Sequence, residues 1–302
     1  MAAVVMTGGT SGFGLPTAEH LRDAGWRVLL GSRGPSAGVD AEVLGLDLTS
    51  LDAVRSFAGQ VRDRLGEQLI DALVLNAGIV RPDATARSAD GHELTFAVNH
   101  LAHYLLLRLL LDRMAQGGVV VLTTSGTHDP TINGGLAPPR HADARLLADP
   151  TRDPGAQPKS ARGGQEAYTA SKLCSVMTVR ALADHPDVAR RRLRVLAYCP
   201  GQVFGTGLAA DLSLARRTAW RVMGTPVSAP LRRFVPTLNT RRVAGVTLGR
   251  LALGEVVPPE GRAYAALRRG QLTWPDASEL ARDDRAVTTL WQDSAALVGL
   301  GP

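Results

Sequence analysis

Ala2-Ala3-Val4-Val5-Met6-Thr7-Gly8-Gly9-Thr10-Ser11-Gly12-Phe13-Gly14 decides the fold. An unalternating apolar run reads as a strand covered on both faces. The glycine turn after it opens a helical pattern over Gly12–Ala24. Outward from this unit the alternation repeats. Strands are expected at Trp26–Ser32, Glu42–Asp47, Leu69–Ala77 and Gly118–Thr124, with helices at Leu51–Leu65 and over about 90–115. Strands alternating with such helices imply right-handed βαβ crossovers and a parallel sheet. The expected fold is therefore α/β: a single-domain, doubly wound sheet of about seven parallel strands spanning 1–302.

The turn also has a chemical reading. Glycines let the backbone approach a pyrophosphate, whose charge is favoured at a helix N-terminus. Gly8, Thr10, Ser11, Gly12, Phe13 and Gly14 are thus candidate cofactor contacts. A dinucleotide fold normally places an acid on the adenosine ribose about twenty residues later. Here the second strand ends Leu30-Gly31-Ser32-Arg33, with no acid. A guanidinium pairs well with a 2′-phosphate, so Ser32 and Arg33 favour NADP(H) over NAD(H). Asp47, beside Leu48, accepts a hydrogen bond from an adenine amino group or else caps the following helix.

Composition points the same way. Of 302 residues, 34 are basic, and only two of those are lysine, Lys159 and Lys172. Lys159 lies in a Pro/Gly-rich stretch over 126–166, read as one long insertion, functional or mobile. Lys172 sits four residues after Tyr168, on one face of an expected helix over about 164–184. A phenol is a poor acid–base catalyst near neutral pH, and a neighbouring ammonium is expected to lower its pKa. Arginine does not titrate and cannot take this place.

Taken in order, Thr7 to Gly14, Asn76-Ala77-Gly78, Asn99, Ser125 and Tyr168-x-x-x-Lys172 resemble the short-chain dehydrogenase/reductase superfamily across essentially the whole chain. The resemblance implies catalytic roles for Asn99, Ser125, Tyr168 and Lys172. It implies cofactor contacts for Asn76, Ala77, Gly78, Tyr168, Lys172, Pro200, Gly201, Val203 and Thr206. Val98-Asn99-His100-Leu101-Ala102-His103, Ser171-Lys172-Leu173-Cys174 and the C-terminal Leu290-Trp291-Gln292-Asp293-Ser294 are similar to the branch of retinol dehydrogenases and protochlorophyllide reductases. Gln202 stands where the latter typically carry cysteine, and Ser125 where they carry threonine. Both departures favour carbonyl reduction, by hydride from NADPH and a proton from Tyr168, over pigment C=C reduction. The set of four intact residues argues against a catalytically silent NADP-binding regulator.

Other signals bound the function. The net charge of +6 comes without a nucleic-acid-binding motif, so no nucleic-acid partner is expected. Arg190, Arg191, Arg192 and Arg194 read as solvated, at the sheet end opposite the cofactor. Seven further arginines lie over 216–242, five of them in a 203–240 segment that reads either as a lid over an apolar substrate or as solvated surface. No Cys/His cluster has ligand spacing, so no metal is expected. His128 and Asp129 contact substrate or shape the loop. Cys174 and Cys199 fit a reduced compartment, and no signal peptide is apparent at the N-terminus. The most apolar stretch, Tyr104–Leu111, is broken by Arg108, so no integral membrane span is expected. A cytoplasmic monomer or homodimer, with a small-molecule carbonyl or alcohol substrate, completes the expectation.

Overall fold

The computed structural model describes residues 1–34, 40–132, 134–206, 218, 222–225 and 234–301. Strand β1 (Ala3–Thr7) lies between β2 (Arg27–Ser32) and β4 (Ile70–Leu75), and β3 (Glu42–Gly45) pairs with β2. Beyond β4 come β5 (Met114–Thr123), β6 (Arg194–Cys199) and β7 (Tyr264–Arg268), all parallel. An eighth strand, β8 (Gln271–Thr273), folds back antiparallel on β7. The strand order is β3-β2-β1-β4-β5-β6-β7-β8. The sheet thus has one strand more than expected. Three residues at an edge are too short to show a period in the sequence.

Helices α1 (Gly14–Asp23) and α2 (Leu51–Leu65) follow β1 and β3. A continuous helical run over Leu94–Arg113 contains α3 (Leu94–Phe96), a π-turn at Ala97–Leu101 and α4 (Ala102–Leu110). Later come α5 (Ala144–Ala148), α6 (Ala161–Ala183), α7 (Pro186–Arg191), α8 (Arg241–Ala252) and α9 (Asp284–Leu297). Two apolar clusters cover the two sheet faces. Ala3 and Val5 join Phe57, Leu105, Leu173 and Met177 on one face, while Val4 and Met6 join Leu21, Leu248 and Leu251 on the other. This explains why β1 is apolar at every position. At about 25 cal/mol per Å² of buried apolar surface, each layer supplies a large part of the folding free energy.

Length and composition would let the Leu94–Arg113 run cross a membrane, at mean hydropathy 1.4. In the fold 83% of its most apolar window is buried. Arg108, the residue that interrupts the run, bonds the Tyr104 hydroxyl at 2.6 Å and stacks over the Trp291 ring of α9 at 5.2 Å. The 126–166 stretch is more regular than its Pro/Gly content suggests. Asp143 caps α5 through Arg145 N and Leu146 N, and Arg145 pairs with Asp293 of α9 at 2.8 Å.

Two of the arginines expected to be solvated are not. Arg191 donates to the carbonyls of Met114 and Asp112, at 2.8 and 2.7 Å, and Arg194 to that of Gly254 at 3.0 Å. Their acceptors are the carbonyls of the turn leading into β5 and of Gly254 just beyond α8, backbone groups that a buried or half-buried chain must pair. Arg216, Arg217, Arg221, Arg232, Arg233 and most of the 203–240 segment, read as a lid or as solvated surface, lie outside the described residues.

Candidate active site

The site assembles where β1 and β4 separate the two halves of the sheet, at the carboxyl ends of the strands, the usual ligand crevice of an open α/β sheet. The turn after β1 is built for close approach. A Cβ on Gly14 would lie 1.9 Å from the Gly8 carbonyl, and Gly8 (φ 68°) packs on Ala77. Gly12 has φ 59° and faces the side chain of Thr206, which places these two candidate cofactor residues together. Phe13, the N-cap of α1, supplies no side-chain cap, and no acid lies in the first turn. The helix therefore presents backbone donors to an anion. This cradle fits a dinucleotide pyrophosphate.

Arg33 is exposed just beyond β2, with no ion pair among the described residues. Ser32 Oγ accepts from Gly34 N at 3.5 Å. Asp47 is not the helix cap: it holds Thr49 N and Oγ1 at 2.9 and 2.8 Å, while Ser50 caps α2 through Ala53 N. The cap falls to Ser50 because it directly precedes the first helical residue. Leu48 packs against the core at the end of this strand.

Asn76 ties the turn to the sheet. Its amide donates to the Gly8 carbonyl at 3.0 Å and its Oδ1 accepts from Thr123 Oγ1 at 3.0 Å. Gly78 leaves room for two side chains, since a Cβ there would stand 3.3 Å from Asn99 Oδ1 and 3.4 Å from Lys172 Nζ. Asn99 lies inside the π-turn, a helix irregularity often found at functional sites. Its Nδ2 donates to Ile79 O and Ser171 Oγ, both at 3.0 Å. Its Oδ1 accepts from Ile79 N at 2.8 Å, so the whole side-chain amide is spent on Ile79 and Ser171.

Tyr168 and Lys172 stand on the same face of α6, with Nζ 5.8 Å from the phenol ring centre. Lys172 donates to the Thr123 carbonyl at 3.1 Å. Burial pushes the Tyr168 phenol up to about 12, and the Ser125 hydroxyl pulls it partly back. Burial also draws the Lys172 amine down to about 8. The expectation that Lys172 lowers the Tyr168 pKa is thus corrected. Desolvation dominates both groups, and Nζ is engaged with Thr123 O. Ser125 caps the turn after β5, accepting from Thr127 N at 3.3 Å and Thr127 Oγ1 at 3.0 Å.

His128 shapes the loop. Its Nε2 accepts from Ser278 N at 3.4 Å, so Nδ1–H donates to Ser125 O at 2.8 Å, and its ring packs edge-on against Tyr264. Asp129 holds Thr131 N and Oγ1. Pro200 and Gly201 are fixed by Asn239, whose amide donates to Pro200 O at 3.0 Å and Leu267 O at 3.1 Å. Val203, buried, packs in the cluster beneath that turn. Sequence reasoning missed Asn239, which lies 39 residues from Pro200 in a stretch without a motif. It also gave His103 no role of its own. Cys174 is fully buried behind Lys172, and burial raises its thiol pKa. Among the described residues no three His, Cys, Asp or Glu side chains gather as a metal site.

Comparison with known proteins agrees with this geometry. The family model for short chain dehydrogenases matches residues 2–135. The chloroplastic protochlorophyllide reductase of Daucus carota is 35% identical over 324 residues, covering 99% of this chain and 78% of that protein. The crystal structure of an uncharacterized protein from Mycobacterium paratuberculosis superposes with TM-score 0.69 at 26% identity, covering 100% of this chain and 94% of that one. A 3-alpha-hydroxysteroid dehydrogenase from Pseudomonas sp. B-0831, solved with NADH, gives TM-score 0.56 at 26% identity over 83% of this chain and 89% of its own. The chain belongs to the short-chain dehydrogenase/reductase family and is an oxidoreductase of that type. Its curated relatives include protochlorophyllide reductases of land plants.

Proposed function

We propose that the protein is an NADPH-dependent reductase of a ketone or aldehyde on a bulky, partly apolar small molecule. The observation that carries this reading is the placement of a buried phenol, Tyr168, within reach of the Ser125 hydroxyl, with a buried amine four residues on. Bound along the glycine turn, a nicotinamide dinucleotide supplies the hydride. The preference for NADPH rests on Arg33 and the missing acid at the end of β2.

Within this reading the side chains divide the work. A phenol whose pKa stands near 12 is fully protonated at neutral pH, so Tyr168 is a proton donor to the carbonyl oxygen rather than a base. The Ser125 hydroxyl donates to the same oxygen as negative charge develops on it. Lys172 holds a proton up to about pH 8 and returns one to Tyr168, gripping the nicotinamide ribose as it does so. Asn99 orders the solvent side of that relay. Orientation and preorganised donors together account for most of the expected acceleration.

A second reading, C=C reduction of a tetrapyrrole-like pigment, is favoured by the similarity to protochlorophyllide reductases. Gln202 and Ser125 support carbonyl chemistry instead. The test is NADPH oxidation with a ketone and aldehyde panel in the dark, beside protochlorophyllide with and without light. Dark turnover of a ketone supports the first reading; light-dependent pigment reduction alone replaces it with the second.

A further inference from the structure

Strand β7 ends in Arg268, whose side chain has no hydrogen-bond or ion-pair partner among the described residues. Tyr264, Ala266 and Arg268 share one face by the two-residue period of a strand. Tyr264 and Ala266 belong to the core cluster on the α6 side, together with Cys199. Arg268 is the next residue on that face, past the core and at the catalytic edge of the sheet. One guanidinium nitrogen stands 3.5 Å from where a Gly126 Cβ would lie, and Gly126 directly follows Ser125. Ile132 Cδ1 and Cys199 Sγ lie 3.7 and 3.8 Å from the same point, so the guanidinium packs beside the residue that follows Ser125.

Arg268 is half-buried. No hydrogen bond or ion pair of its side chain is found among the described residues, although most other arginines near the sheet edges are paired. Its charge reaches two buried neighbours: it adds to the burial that lowers His128 and opposes the burial that raises Tyr264. Asp129, the nearest acid in sequence to Ser125, spends an oxygen on Thr131 and does not neutralise it. A half-desolvated guanidinium without a partner is costly, and a planar fork of donors suits a carboxylate.

We propose that Arg268 is a specificity-determining residue that binds a carboxylate carried by the substrate close to its reducible carbonyl. The subsite is one cation beside the half-buried Ile132 side chain, so the preferred substrate is an oxo acid with an apolar body. This deepens the proposed carbonyl reduction and rests on that reading for the placement of the carbonyl at Ser125.

The test pairs 3-benzoylpropionate with its primary amide, two ketones that differ in the charge of one group. Binding of each to the protein with saturating NADP+ is measured by isothermal titration calorimetry, for wild type, Arg268→Gln and Arg268→Lys. The expected result is an acid bound at least tenfold more tightly than the amide, a preference lost in Arg268→Gln and partly kept in Arg268→Lys, with matching melting temperatures. Equal binding of acid and amide by the wild type overturns the proposal, as does a preference that survives Arg268→Gln. A comparable loss of NADP+ affinity in Arg268→Gln also overturns it, because the guanidinium then serves the cofactor. NADPH oxidation by the same two ketones separates the two claims. A carboxylate preference in binding without any ketone turnover leaves the subsite standing and removes the carbonyl reading.

Discussion

His103 Nδ1 donates to the main-chain carbonyl of Asn99 at 3.2 Å, and the other nitrogen of the same ring meets Thr7 at the end of β1. Thr7 Oγ1 accepts from both Asn76 N and Ala77 N, at 3.0 and 3.1 Å. With its lone pairs used, the hydroxyl hydrogen points at His103 Nε2, 2.9 Å away. That fixes a neutral imidazole with its proton on Nδ1. One buried ring therefore joins the end of β1, the turn after β4 and the residue expected to order the proton relay.

Replacing His103 with Phe leaves the Thr7 hydroxyl and the Asn99 carbonyl without their partner. Buried groups orphaned in this way cost about 1–3 kcal/mol each. The expected outcome is a loss of about 2–4 kcal/mol in urea unfolding, with a lower kcat once the protein is held folded. A variant as stable as the wild type would remove His103 from this network.

Two buried histidines make stability depend on acid. Burial lowers His103 to about 4 and His100, bonded to Ser294 Oγ at 2.8 Å, to about 3. Unfolded histidines take up protons near pH 6.5, so in this window the unfolded state binds more protons than the native one. Stability falls as pH drops from about 6.5 toward 4, by up to about 1.4 kcal/mol per pH unit for each ring. Below the folded values the loss levels off. Urea midpoints between pH 7 and 4 check this, and His103→Phe is expected to flatten the slope.

The turn and the Tyr-Lys pair were legible because their signals are local. Glycines whose Cβ would strike Gly8 O or Ala77, and two side chains four residues apart on a helix, need no long-range information. His103 was not legible, since its partner Thr7 is 96 residues away and only the parallel sheet brings them together. Arg268 and Asn239 hide for the same reason. Arg191 and Arg194 looked solvated because their acceptors, the carbonyls of Asp112, Met114 and Gly254, lie 60 to 79 residues away in the chain. Lys172 was legible as a position but not in its electrostatics, because burial outweighs its effect on Tyr168.

Arg33 carries the cofactor preference. Arg33→Ala is expected to raise KM for NADPH about 10- to 100-fold, the span of a charge-assisted phosphate contact, with little change for NADH. Initial rates with both cofactors measure it. An equal effect on both would place the 2′-phosphate elsewhere.

Lys172 sets the alkaline limb. With its amine lowered to about 8 and Tyr168 raised to about 12, reduction is expected to hold steady below pH 8 and decline above it. The decline follows loss of the Lys172 proton, while Tyr168 remains protonated throughout. A kcat profile from pH 6 to 10 checks the sign, and Lys172→Arg, which does not titrate there, is expected to lose both the limb and most of the rate.

The central claim is that Tyr168 donates the proton. The most direct measurement is single-turnover NADPH oxidation by Tyr168→Phe with a ketone that the wild type reduces, beside NADPH affinity by fluorescence titration. The account expects a rate at least about 10²-fold lower, the scale of general acid catalysis, with affinity for NADPH nearly unchanged. A variant that reduces the ketone at close to the wild-type rate would contradict it.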